Sequence, residues 1–481
     1  MAARNPDTPK AWHHAARPII GVIAAQGAAM ALSLGTGLWV VRSLPPGQYA
    51  LYTIATSVLG SMVLLCDAGI VAGAMALGGQ CWREPAELGA VVNTARELRR
   101  RRAWRVALVA LPVLAALLHQ RGAGGWQIVL WTVAVAAAFV AGLGQLVWEI
   151  PLRLHEVLRV TQRVAIVQAA GRAALTGLAL AFCPIGVLAL LATGLAQAWA
   201  SWRIAREGAK LVDGPADGGR REGDGGRRTE DGGRNDGTTE RRNDGTTERR
   251  KDGTAEDGAR SSELATSGQK PVASSSELRA SILAVVRRAL PAAVYGVLTQ
   301  QFGLFFLSLA GTTMAVAQFG ALSRIAVVLG VLISVNQIVF APRFARIENK
   351  SELPRAYARY LGFILVLCLP LNLAAWWMPE ILLKLVGSSY AGIVPELRLA
   401  VLAATLQAAG GSGFALGYAR GWHMPPLVGI ASMIAVQAAC VVWLDLGVLH
   451  GVLVMAVAIG LHQVIVNVGY CAYRMSAPAR S

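Results

Sequence analysis

The sequence predicts an all-α polytopic membrane protein of about twelve transmembrane helices, for three reasons. Of the 481 residues, 54% are hydrophobic and only 15% are charged, which is more apolar surface than one soluble core can bury. Apolar runs long enough to cross a bilayer recur along the whole chain. Loops rich in lysine and arginine alternate with loops poor in them, as the positive-inside rule describes for membrane proteins.

The apolar runs fall into two groups of six on either side of a polar segment. A helix needs about 20 residues to cross the hydrocarbon layer. Runs of this kind begin near Pro18, Tyr49, Trp104, Trp126, Val164 and Ile185, and again near Ile282, Met314, Tyr360, Pro395, Pro426 and Gly447. We therefore predict an N-terminal six-helix bundle in residues 1–209 and a C-terminal six-helix bundle in residues 277–481.

The distribution of basic residues predicts the orientation. The segment 95–105 after the second helix is rich in arginine, whereas the turn at Cys183 and Pro184 contains no base. The same alternation continues to the end of the chain, so we expect both termini in the cytoplasm of a bacterium and the helices in its inner membrane. The first apolar run ends at Arg42 without a small-residue cleavage site, which predicts a span and not a cleaved signal peptide.

The central segment, residues 210–276, has a different composition. An eight-residue repeat, RNDGTTER, occurs at 234–241 and at 242–249, and a degenerate copy follows at 250–257. Such a segment has too few aliphatic residues to offset the entropy lost on ordering. We predict a disordered cytoplasmic linker, which either acts as a simple tether or has a docking role.

Several functional classes are excluded by the pattern. The net charge of +17 arises from bases between apolar runs, so we expect membrane lipids and not nucleic acid as the partner. The six cysteines show no CxxC spacing, and a disulfide framework or a metal site is not expected. We find no phosphate-binding loop, HExxH motif or serine triad. We therefore expect no cofactor and no enzyme activity.

The two halves contain related segments. Residues 48–60, QYALYTIATSVLG, align without gaps on residues 318–330, QFGALSRIAVVLG. Each segment opens the second helix of its half. Two six-helix repeats have the same topology, so a pseudo-twofold axis along the membrane normal is expected to relate the two bundles.

Several motifs resemble those of the polysaccharide flippases, which belong to the multidrug/oligosaccharidyl-lipid/polysaccharide exporter superfamily. The N-terminal matches are VRSLPPGQYALY at residues 41–52 and LLCDAGI at residues 64–70. The C-terminal matches are VFAPRFAR at 339–346, PEILLKLVGSSYAG at 379–392 and GYARG at 417–421. Together they span nearly the whole chain except the linker.

The resemblance implies a function. Proteins of this family move a polyprenyl-diphosphate-linked oligosaccharide from the cytoplasmic to the periplasmic leaflet by alternating access, for example for O-antigen or exopolysaccharide. Other polysaccharide-assembly proteins are then potential partners. Two positions depart from the family pattern: Ser43-Leu-Pro replaces a Leu-Gly-Pro turn, and Gln300 with Gln301 occupies a place where many members carry an acid. The second departure leaves coupling to protons, sodium or membrane potential open.

The candidate site residues follow from the cost of moving an anionic sugar headgroup through hydrocarbon. A flippase needs a polar and preferably cationic cavity, so ionisable residues within helices are the first candidates. For substrate binding these are Arg324, Arg172, Arg287, Arg288 and the amides Gln26, Gln300 and Gln301. Asp67 is the candidate residue for coupling transport to the uptake of a proton. Each also has a structural interpretation, such as pairing of Arg324 with a neighbouring carboxylate or carbonyl, capping of a helix by Asp67 beside Gly69, anchoring at the membrane surface or interhelical hydrogen bonding.

Three alternative functions remain at this stage. A drug/cation antiporter of the same superfamily predicts an acidic cavity. A membrane glycan polymerase or ligase predicts a long periplasmic loop with catalytic residues, whereas the long loop here is expected in the cytoplasm. A scaffold for glycan assembly predicts that the charges in the cavity can be replaced without loss of function.

Overall fold

A computed structural model describes residues 9–79, 81–155, 157–212, 275–336, 340–345, 347, 349–390, 392–420, 422 and 424–476. Within these ranges all regular elements are helices, and the all-α prediction is confirmed. The predicted linker lies mostly outside the described residues. The helix before it continues to Val212, and the next begins at Ser275.

The N-terminal half crosses the membrane region six times, because two of its crossings are interrupted helices. Its helices are α1 (Pro9–Ser43), α2 (Pro46–Asp67), α3 (Ile70–Gly78), α4 (Pro85–Gln120), α5 (Gly125–Gly142), α6 (Gln145–Leu154), α7 (Leu158–Phe182) and α8 (Gly186–Val212). The first interruption lies between α2 and α3, where Ala68 and Gly69 have φ of 27° and 91°. The second, between α5 and α6, leaves both parts packed against α8.

The C-terminal half also contains six crossings, with two short helices beside them. Its helices are α9 (Ser275–Ala310), α10 (Thr313–Val335), α11 (Ala341–Ala345), α12 (Leu353–Trp377), α13 (Pro379–Val386), α14 (Val394–Ala419), α15 (Pro426–Trp443) and α16 (Leu449–Ser476). The two bundles predicted from the apolar runs are thus present in the described residues.

The lengths and surfaces of the helices are those of a multi-pass membrane protein. Among the described residues, nine helices are long and apolar enough to cross a bilayer, and α9 and α15 contain shorter apolar stretches. Large apolar side chains lie on the outer surface, such as Phe182 at 82% exposure and Trp443 at 83%. Lipid, and not water, is the solvent in which such a surface is stable.

The two bundles meet along a seam that contains both repeated segments, because α2 and α10 pack against each other and α1 packs on α10. The closest approach on this seam occurs at Gly320 of α10. A Cβ atom at this position would lie 2.8 Å from Cγ2 of Thr53 on α2. Small residues allow helices in membranes to pack this closely.

Two arginines join the bundles on one side of the membrane region. We define the linker side as the side where α8 ends and α9 begins, and the far side as the side where α1 ends and α2 begins. On the far side, Arg121 donates hydrogen bonds to the carbonyl oxygens of Leu307 (2.8 Å), Ser308 (3.1 Å) and Gly311. Arg42 donates to the carbonyl oxygen of Lys384 at 2.6 Å.

The close contact at Gly320 generates a prediction about stability. Gly320→Ala places a methyl group against Thr53 and is expected to destabilise the protein by about 1–3 kcal/mol through overpacking. Gly60→Ala on α2, the helix that packs against α10, is the matched control, since a Cβ there meets no atom of the described residues within 4 Å. The thermal unfolding midpoint in detergent measures both. Equal midpoints for the two variants would show that the seam is not tightly packed at Gly320.

The far-side contacts generate a second prediction, about conformation. Ser308 is fully buried, so a cysteine placed there reports opening of the far side to a membrane-impermeant maleimide. With exposed Cys183 replaced by serine, Arg121→Ala is expected to accelerate labelling of Ser308→Cys about ten-fold, because it removes charged hydrogen bonds between the bundles.

The control for the second prediction is Arg398→Ala. Arg398 also donates to far-side carbonyl oxygens, of Ala375 and Trp376, but it does so within one bundle. It is expected to leave the labelling rate unchanged. Identical rates for the Arg121 and Arg398 variants would contradict a role for Arg121 in holding the bundles together.

Candidate functional site

Arg324 projects from α10 into the seam between the bundles. It lies about 16 Å from the far end of α10 at the standard helical rise, and its side chain is half-buried. Its Nε lies 3.5 Å from the hydroxyl oxygen of Tyr49, and its guanidinium carbon lies 5.9 Å from the ring centre of Tyr52. Gly37 of α1 makes room for it, since a Cβ atom there would lie 3.2 Å from Cδ of Arg324.

Arg172 approaches the same place from the other bundle. It lies about 15 Å from the far end of α7, which is the depth of Arg324. It is close enough to Arg324 for the two charges to interact, and close enough to Tyr52 for an electrostatic interaction. Its Nε is buried without a hydrogen-bond partner. The two arginines, here called the arginine pair, therefore belong to different bundles and face one seam.

The arginine pair lacks a carboxylate counterion within the described ranges. The ion pairs found there involve Glu97, Glu149, Glu207 and Glu396, all with other bases. Among the described residues, the hydroxyl of Tyr49 and the ring of Tyr52 lie beside the guanidinium of Arg324. A buried charge without a counterion costs several kcal/mol, and two like charges add repulsion. An anion placed between them would remove both penalties.

Asp67, the predicted coupling residue, lies elsewhere. It ends α2, about 27 Å along the helix from Tyr49 at the standard rise. Its Oδ1 accepts a hydrogen bond from the backbone nitrogen of Val71 at 3.3 Å, so it caps α3. Arg102 donates to the backbone carbonyl oxygens of Asp67 and Ala68 at 3.4 Å. The structure thus separates Asp67 from the arginine pair.

The other predicted residues occupy several depths. Gln301 is half-buried on α9, about 14 Å from its far end and so level with the arginine pair. Gln300 is exposed, and Gln26 is half-buried on α1. Arg287 is exposed and about 35 Å from the far end of α9, so it lies near the linker-side surface. The side chain of Arg288 lies outside the described residues.

The sequence analysis missed two groups of polar residues. The first is the tyrosine pair that contacts Arg324, although both tyrosines were part of the QYALY motif. The second is a chain of glutamines. Gln168 of α7 donates to Gln197 of α8, which donates to Gln145 of α6. The available signal was the presence of a glutamine within each of the three helices, at Gln145, Gln168 and Gln197.

Comparison with solved structures gives the fold. The chain is similar to the inward-facing conformation of a multidrug resistance MATE family transporter of the MOP superfamily, with TM-score 0.66 and 17% identity over 93% of this chain and 94% of that one. It is also similar to an outward-facing conformation of such a transporter, with TM-score 0.55 and 15% identity over 95% and 94%.

A third similar structure has a different binding pocket. It is a MOP superfamily transporter from Pyrococcus furiosus whose pocket is described as having reversed polarity, suggesting a different function, with TM-score 0.57 and 16% identity over 95% and 94% of the two chains. No protein-family model and no curated protein matches the sequence. The chain therefore has the two-bundle fold of MATE transporters of the MOP superfamily.

Proposed function

We propose that the protein is a flippase that moves a polyprenyl-diphosphate-linked oligosaccharide from the cytoplasmic to the periplasmic leaflet by alternating access. The observation that supports it is the arginine pair, which lies at mid-depth between the bundles and has no carboxylate counterion in the part of the chain that the structure describes. The linker side then faces the cytoplasm of a bacterium and the far side faces the periplasm.

The arginine pair fits a diphosphate for chemical reasons. A diphosphate carries about two negative charges at neutral pH, and two guanidinium groups neutralise them. The planar donors of arginine form paired hydrogen bonds with phosphate oxygens. The headgroup would then occupy the seam while its polyprenyl tail remains in the surrounding lipid, so that neither part is placed in an unfavourable solvent.

The seam also fits alternating access. Arg172 belongs to the N-terminal bundle and Arg324 to the C-terminal bundle, so a ligand that binds both would be sensitive to their relative position. The far-side contacts of Arg42 and Arg121 close one side in the state described. Breaking these contacts while the linker side closes would expose the arginine pair to the periplasm.

The membrane potential can drive this transport. Moving about two negative charges outward across a potential that is negative inside releases about 4–5 kcal/mol per 100 mV. Coupling through Asp67 is a further part of the proposal. Asp67 would act at the interruption between α2 and α3, apart from the arginine pair. It would therefore change the geometry of these helices and would not contact the headgroup itself.

The second candidate function is multidrug antiport, because the similar structures include multidrug resistance transporters. Cationic drugs are repelled by an uncompensated arginine pair, which favours the flippase. The polarity of the pocket also differs between transporters of this superfamily, as the Pyrococcus furiosus protein shows. The two functions are therefore distinguished by the charge of the transported molecule.

The flippase proposal predicts the effect of removing one arginine. Arg324→Ala is expected to lower the rate of flipping about 10- to 100-fold, because charge-assisted hydrogen bonds contribute about 1.5–3 kcal/mol each. The measurement uses proteoliposomes that contain a fluorescent polyprenyl-diphosphate-linked sugar and a quencher outside. In a cell that depends on this protein, the same substitution should abolish surface polysaccharide.

The control is Arg163→Ala, which removes an exposed arginine from α7. It should flip the lipid at the wild-type rate, and both variants should insert and unfold as the wild type does. Flipping at the wild-type rate by the Arg324→Ala variant would show that Arg324 takes no part in the mechanism. If the wild type transports a cationic dye and does not flip the sugar-bearing lipid, the result would favour the drug antiporter.

A further inference from the structure

A cavity of about 430 Å³ lies within the N-terminal bundle. Its walls come from α2, α5, α6 and α8. Most of its lining is apolar, as at Leu59 and Val63 of α2, but one wall carries Gln145, Gln197 and Thr193. We call these three residues the amide wall. The cavity has no charged residue among those that line it.

The amide wall retains hydrogen-bonding capacity. Gln197 receives one hydrogen bond from Gln168 and donates one to Gln145, and Gln145 donates one to Glu149. A primary amide has two donor hydrogens and two acceptor lone pairs. Gln145 and Gln197 therefore each keep one donor and one acceptor site beyond this chain. The hydroxyl of Thr193 donates to the carbonyl of Ala189 at 3.0 Å, so its oxygen can still accept.

Two helices lead from the arginine pair towards the cavity. On α2, Leu59 and Val63 follow Tyr52 by about two and three turns, so they lie on the helix face that meets Arg324. On α7, Gln168 precedes Arg172 by four residues, and this spacing places both side chains on one face. A molecule held by the arginine pair can thus extend along these two helix faces towards the amide wall.

The residues that line the cavity favour a sugar ring over a lipid tail or a cation. A lipid tail would leave the remaining amide donors without partners, which is costly. A cation would need charged or several convergent oxygen ligands, and the nearby carboxylate of Glu149 is already bonded to Arg153 at 2.6 Å. A sugar ring offers apolar C–H groups to Leu59 and Val63, and hydroxyl or acetamido groups to the amides.

We infer that this cavity is a sugar subsite, in which Gln145, Gln197 and Thr193 bind the sugar that follows the diphosphate. The inference rests on the proposed function, since the arginine pair would fix the diphosphate next to the cavity. Gln168 is a positioning residue: its hydrogen bond orients Gln197.

The test compares two probes on the full-length protein in nanodiscs: undecaprenyl diphosphate, and the same lipid bearing one N-acetylglucosamine. The wild type is expected to bind the sugar-bearing lipid about ten-fold more tightly, because two hydrogen bonds contribute about 1–3 kcal/mol. Gln197→Leu should remove this difference and leave the affinity for the sugar-free lipid unchanged. Thr193→Val, which conserves volume, should reduce the difference even if Gln197→Leu fails to fold.

Gln437→Leu is the matched control. This glutamine is also buried in a helix and bonded to Tyr295 at 2.8 Å, but it belongs to the other bundle. It should behave as the wild type with both lipids. Arg324→Ala should weaken binding of both lipids, which separates the diphosphate site from the sugar subsite.

The outcomes separate the two proposals. If the wild type binds both lipids equally, or if Gln197→Leu and Thr193→Val weaken both equally, the sugar subsite is wrong and the flippase proposal stands. If the wild type binds neither lipid, both proposals are wrong. A sugar-dependent gain that survives both substitutions would place the sugar elsewhere in the seam.

Discussion

Two positive charges held at mid-membrane depth, without a carboxylate counterion among the described residues, are the constraint on which the rest of this structure depends. Arg172 and Arg324 come from different bundles, and aromatic groups, not carboxylates, surround Arg324. A carboxylate would stabilise the folded protein, but it would also compete with any anionic ligand. Under the proposed function, the arrangement favours binding over stability, as is common for ionisable residues within membranes.

The remaining features of the seam make this arrangement possible. Gly37 leaves room for the side chain of Arg324, and Gly320 allows α10 to approach Thr53 closely. The far-side contact of Arg121 uses backbone carbonyl oxygens and not acids. Further along the same face of α2 lies a cavity whose polar wall carries no charge.

Hydropathy and charge alternation predicted the helical crossings and the division into two bundles, because these patterns are imposed locally by the bilayer. The depth of Arg324 was also predictable, since it follows from position within α10. A structural cap at Asp67 beside Gly69 was one interpretation of the sequence, and the hydrogen bond from Val71 agrees with it. The separation of Asp67 from the arginine pair was not predictable, because it depends on how the helices pack. The contact of Tyr49 with Arg324 joins residues 275 positions apart, and no local pattern indicates it.

The most direct test of the arginine pair is an experimental structure determined with a polyprenyl diphosphate present. We predict that the diphosphate lies between Arg172 and Arg324, with oxygen atoms within hydrogen-bonding distance of both guanidinium groups. A structure in which a carboxylate of this chain occupies that position, with the diphosphate bound elsewhere, would contradict the account.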